Sequence, residues 1–192
     1  MTRSQFITAV KYLTLLFVAV PMPVHSVMYQ IVFDPAKFMI PCKDTKNDIN
    51  EFFDLTKLNI SLASESTMKV TGTLAAYEDY GADTPLSVHQ SAKQKVRGRW
   101  VDTPYRSVIK DLCADYFKPG MWWYENVTKY FVGEERQCPP KKGLPLPLNT
   151  TVELVLNIPL RLPPGEYISH TIMKHTFKEA CFECYVDLSE AK

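Results

Sequence analysis

The chain has 192 residues, 46% of them hydrophobic and 12% aromatic, with a formal net charge of +1. That length and apolar content are enough for one well-packed domain. The near-neutral charge, without a long basic run, argues against nucleic acid as a partner and offers no polybasic patch for anionic membranes.

The chain opens on Arg3 and Lys11, with no acidic residue before Asp34. A short apolar run over residues 12–20 is broken by Pro21 and Pro23, and Val24 and Ser26 are small. This is the layout of a secretory signal ending in a cleavage site after Ser26. The run falls short of the roughly 20 apolar residues that a spanning helix needs. The expectation is therefore a signal peptide over residues 1–26 and one secreted, extracellular domain over residues 27–192, with no transmembrane segment after cleavage. In that compartment Asn59-Ile60-Ser61, Asn126-Val127-Thr128 and Asn149-Thr150-Thr151 are acceptor sequons, which makes Asn59, Asn126 and Asn149 glycosylation candidates at the surface.

Residues 58–62 read as a short strand, 67–77 as a longer one, and 86–100 as one or two more, in the manner of an antiparallel sheet with one wet face. Residues 105–117 differ: Val108, Ile109, Leu112, Cys113 and Tyr116 recur at helical spacing, and Pro119-Gly120 ends the pattern. This predicts the one helix. Residues 122–132 read as an aromatic strand and 139–147 as a proline-rich loop. Beyond them Val152, Leu154, Leu156 and Ile158 alternate as the inward row of a strand. A turn at Pro163-Pro164-Gly165 leads into a hairpin of strands over 167–174 and 177–188. Many short strands and one short helix predict a mainly β, antiparallel sandwich.

The five cysteines are Cys42, Cys113, Cys138, Cys181 and Cys184. In an oxidising compartment four can pair, and spacing leaves the pairing open. On a strand, Phe182, Cys184, Val186 and Leu188 share one face while Cys181 and Glu183 share the other. Cys184 thus lies in an apolar row, where a free cysteine is an inert buried thiol. A metal or redox reading of Cys181 and Cys184 lacks the second cysteine pair of a structural zinc site and the helix start of a redox motif. His170 and His175 lack a third ligand nearby.

The segment from Cys113 to the end resembles the ML (lipid-recognition) superfamily, which includes the ganglioside activator protein. The matching residues are Cys138-Pro139-Pro140-Lys141-Lys142-Gly143, then residues 157–167 with their Leu162-Pro163-Pro164-Gly165-Glu166-Tyr167 turn, then Lys178-Glu179-Ala180-Cys181 before an alternating strand. The likeness is greatest to the insect secreted branch with its chemosensory CheA/CheB type. The resemblance implies an immunoglobulin-like β-sandwich, disulfide-stapled, whose sheets part to hold an apolar ligand. It implies the pairs Cys42–Cys181 and Cys113–Cys138, with Cys184 unpaired. The interval from Cys113 to Cys138 holds fewer cysteines than the ganglioside activator has there, so ligand identity does not transfer.

Catalytic signatures are missing: no Gly-x-Ser-x-Gly elbow, no His-Glu-x-x-His and no phosphate-cradling glycine loop. The expectation is a non-enzyme without cofactor or resident metal. The cluster Phe117, Met121, Trp122 and Trp123 suits either ordinary core or the mouth of an apolar pocket. With the row Val152, Leu154, Leu156 and Ile158, it forms the expected ligand-binding set. Expected partners are a small apolar, lipid-like ligand and a cell-surface receptor. The competing expectation is an interaction module with a filled core that docks on another extracellular protein.

Overall fold

The computed structural model describes residues 26–43, 48–80, 85–126, 128–130, 141–176 and 178–191, without the side chains of Pro35, Trp122 and Tyr130. The expected signal segment therefore lies outside the described residues, except for Ser26. None of the described helices is long and apolar enough to cross a membrane.

Among the described residues eleven strands form two antiparallel sheets: β1 (Val27–Phe33), β2 (Ile40–Pro41), β3 (Phe53–Asp54), β4 (Leu58–Ser64), β5 (Thr67–Ala76), β6 (Ser87–Val96), β7 (Arg99–Ile109), β8 (Pro145–Glu153), β9 (Val155–Ile158), β10 (Gly165–His175) and β11 (Lys178–Glu190). The large sheet runs β7-β6-β10-β11-β1-β9, with β2 also paired to β11. In the small sheet β5 is central, flanked by β3 and β4 on one edge and by β8 on the other. Two short helices follow β7: α1 (Leu112–Tyr116) and α2 (Trp122–Asn126). The fold is mainly β and sandwich-like, and it holds one helix more than the sequence predicts.

The hairpins follow from local chemistry. Arg97 and Gly98 both have positive φ, +50° and +79°, as the two-residue loop between β6 and β7 requires. Gly72 adopts φ +112° in the middle of β5, where a Cβ would sit 1.9 Å from the Lys57 carbonyl oxygen. Only glycine lets β5 pass so close to the start of β4. The 167–188 hairpin forms as read, from Gly165↔Leu188 to His175↔Lys178.

Three readings are corrected. Residues 105–109 are strand, not helix: Val108 and Ile109 pair with His89 and Val88 on β6. Cross-strand pairing suits these β-branched residues and overrides a helical period that is short and ambiguous. The helix starts only at Leu112, where the Asp111 carboxylate accepts from the N–H groups of Cys113 and Ala114. Residues 122–126 are helix, not strand. There Pro119-Gly120 turns the chain, and Glu125 reaches back to accept from the Gly120 N–H at 3.0 Å. Finally, the row from Val152 to Ile158 is two strands rather than one. At Leu154 the chain leaves the small sheet and enters the large one: the Leu154 N–H donates to Ser66, and its carbonyl accepts from the Ile31 N–H.

The interior divides into clusters. One gathers Tyr29, Ile31, Met68, Ala92, Leu154, Ile158, Leu162, Tyr167 and Leu188, so both sheets contribute. Its anchor is the fully buried Tyr29, whose hydroxyl donates to the Leu162 carbonyl and accepts from the Leu162 N–H. A second cluster joins Phe52, Ala76 and Tyr80 to Val88, Met173 and Ala180 at the other end of the sandwich.

Candidate functional site

Between those two clusters the inward row of the large sheet is polar on β7, β6 and β10. Register places Ser107, Gln90, Thr171 and Phe182 side by side across β7, β6, β10 and β11. Gln90 shares its face with the buried Val88 and Ala92 two residues to either side. Small hydroxyls and an amide occupy this level on three strands, and Phe182 of β11, packed against the second cluster, is its bulky apolar member.

The small sheet is apolar at its centre. Leu148 and Val152 on β8 pack with Leu58 of β4, with Val70 and Leu74 of β5, and with Tyr116 and Phe117 of the helical segment. This third cluster is covered by the end of α1 rather than by the facing sheet. Above it Trp123 stacks on Tyr116 with ring centroids 5.4 Å apart, and stays 40% exposed. Burial pushes the Tyr116 phenol up to about 12. The buried Thr128 hydroxyl donates to the Tyr116 carbonyl, and the Thr150 hydroxyl donates to the Asn126 carbonyl at 3.2 Å. These bonds tie the helical segment to itself and to β8.

The expected ligand-binding residues separate accordingly. Phe117 and Val152 meet in the third cluster, with Trp123 beside it through Tyr116. Met121 is half-buried just ahead of α2, and Trp122 begins that helix. Leu154 and Ile158 lie instead in the first cluster, with Leu156 half-buried against it. A separate apolar crevice at the seam of the sheets, lined by Phe33, Phe38, Ile60, Leu62 and Met68, has a cavity volume of only about 10 Å³. That is below the roughly 300–1,000 Å³ of a typical ligand site.

Sequence reasoning missed Leu148, Val70, Leu74 and Tyr116 as partners of this site. A signal was present. Leu146 and Leu148 alternate with Pro145 and Pro147, a period of two that the prolines disguise as loop. Proline is tolerated there because β8 pairs only with β5 among the described strands.

Cys42 and Cys181 form a disulfide with α-carbons 5.4 Å apart. Cys113 is also disulfide-bonded, while Cys138, the partner implied for it, lies outside the described residues. His170 lies against the Cys42–Cys181 bridge, its Nε2 3.4 Å from Cys181 Sγ, and its Nδ1 meets Glu183 Oε1 at 3.3 Å. Cys42, Cys181 and His170 thus bring three potential metal donors within 4.8 Å of one another. Sulfurs joined to each other are not thiolate ligands, so the oxidised bridge does not offer a metal site. His175 points to the opposite face of β10, where its ring meets Tyr80 edge-on. The two histidines therefore cannot share an ion. Ser87 Oγ and His89 Nε2 stand 3.5 Å apart, but the Ser87 hydroxyl also reaches the Lys174 carbonyl at 3.4 Å. With no carboxylate on His89 among the described residues, this pair lacks the third member of a nucleophilic triad.

Cys184 is a buried free thiol whose sulfur accepts from the Met39 N–H at 3.4 Å. Burial pushes this thiol up to about 11, partly offset by the Met39 bond. The folded chain keeps the proton longer than the unfolded chain, so this stability is complete below pH 9 and is lost between pH 9 and 11. Two pH units correspond to about 3 kcal/mol. Urea midpoints measured from pH 7 to 11 should therefore fall from pH 9 in the wild type. A Cys184→Ala variant should hold level until the tyrosines begin to ionise near pH 10; superimposable profiles would refute this role.

No family model and no curated protein matches the chain.

Proposed function

We propose that this is a secreted, non-enzymatic binding protein that carries or presents a small apolar ligand between its sheets. The ligand class is lipid or hydrocarbon-like, including a chemosensory cue, as the resemblance to the ML superfamily implies. The observation that carries the reading is the third cluster. An apolar sheet face around Leu148 and Val152 is roofed by Tyr116 and Phe117 on a short helical segment, not by the opposing sheet. Two five-residue helices are too short to hold such a roof by their own propensity. They can lift, and an apolar ligand would then replace aromatic side chains against the same surface. Ser107, Gln90 and Thr171 of the large sheet would offer hydroxyl and amide groups to a head group.

A second reading is an interaction module with a filled core that docks on a receptor. It is favoured by Trp100, Val101 and Val108, which are 37%, 49% and 55% exposed along β7. A fluorescent fatty-acid probe separates the two. The carrier reading predicts saturable uptake, displaced by unlabelled fatty acid, and weakened roughly tenfold (about 1.4 kcal/mol) by Trp123→Ala. Trp100→Ala should leave it unchanged. Absence of saturable uptake, or equal loss in both variants, would reject the carrier reading.

A further inference from the structure

Asn59 and Asn149 are far apart in sequence but flank one residue in the small sheet. Asn59 pairs with Thr71, and Thr71 pairs with Asn149 on its other side. The three side chains form a row across β4, β5 and β8, on the face opposite Val70 and Leu148. Strand spacing puts the two asparagine α-carbons about 10 Å apart. Both asparagines are exposed. The next row on this face is Ser61, Lys69 and Thr151, again exposed and without a hydrophobic group.

The third sequon is placed differently. Asn126 is half-buried at the end of α2, with its carbonyl bonded to Thr150 of β8. Its hydroxyl residue, Thr128, is fully buried and committed to Tyr116. Asn126 is thus less open to solvent than Asn59 and Asn149.

We propose that Asn59 and Asn149 both carry N-linked glycans while Asn126 stays bare, which makes the outer face of the small sheet a paired-glycan face. This rests on the secretory reading given above. The donor is a polyprenyl-diphosphate-linked oligosaccharide. The asparagine amide nitrogen bonds to the anomeric carbon of the first sugar, the bond from that carbon to the diphosphate oxygen breaks, and one amide proton is released. Two glycans rooted so close together cover a sheet three strands wide. A partner, a membrane or a second copy must then approach from the large sheet or the helical segment. Each glycan also stands on a strand paired only with β5 among the described residues, where bulk opposes edge-to-edge association.

The test is expression of the full chain in a eukaryotic secretory host, with intact masses of the secreted protein before and after amidase deglycosylation in heavy-oxygen water. Two glycans, mapped to Asn59 and Asn149, are expected; Asn59→Gln and Asn149→Gln should each remove one. A secreted chain with either asparagine bare, or with Asn126 occupied, would overturn this inference alone. A chain retained in the cytosol without glycans would overturn the secretory reading and this inference with it.

Discussion

Replacing Cys42 and Cys181 together by alanine is expected to cost about 5 kcal/mol of folding stability on the chain-entropy view of a loop this long. The bridge joins positions 139 apart in sequence, linking the segment after β2 to β11. It also sits where the Cys42 N–H donates to the Cys181 carbonyl at 3.2 Å, in a region almost closed to solvent. A domain of this size has about 5–15 kcal/mol in all, so the loss removes a third or more of it. Denaturant unfolding checks this in two ways. The double variant and the fully reduced wild type should both unfold at much lower denaturant than the oxidised protein. A difference below about 1 kcal/mol would show that strand pairing alone holds the two segments together.

Leu154→Ala is expected to cost about 2–5 kcal/mol, the range for large-to-small changes in a closed core. Leu154 is 2% exposed, and its backbone is fixed to both sheets: its N–H donates to Ser66 at 2.9 Å, and its carbonyl accepts from Ile31 at 2.8 Å. Neither neighbour can move in to fill the void without breaking a bond that positions the crossing. Leu156→Ala, at a half-buried site two residues on, should cost about 1 kcal/mol by the same bookkeeping of lost apolar burial. Urea midpoints give the comparison, and an equal or larger effect at Leu156 would contradict the crossing described here.

These two sites also show what the sequence made legible. The inward phase of Val152, Leu154 and Ile158 was readable, because alternation survives the crossing. The sheet change at Leu154 was not, since no proline or glycine marks it and its cause is pairing with Ile31 and Ser66, far away in the chain. The opposite face phases of Cys181 and Cys184 could be read from strand period alone, and the structure places one in a bridge and the other as a buried thiol. Residues 105–117 misled for a physical reason. Over a dozen residues a strand followed by a helical turn can mimic one amphipathic helix. Phe117 and Trp123 could be singled out by composition. The apolar partners of Phe117, among them Leu148, Val70 and Leu74, are assembled by the β5–β8 register, which local sequence does not encode.

The proposed function rests on where the helical segment lies. Tyr116 and Phe117 cover the apolar face around Leu148 and Val152, and Trp123 stacks on Tyr116. Native mass spectrometry of the protein secreted from eukaryotic cells tests this most directly. Carriage of an apolar ligand predicts a co-purifying lipid-sized adduct that organic solvent removes and that returns on incubation with fatty acids, hydrocarbons or glycolipids. A bare chain mass with no uptake of any of these would contradict it.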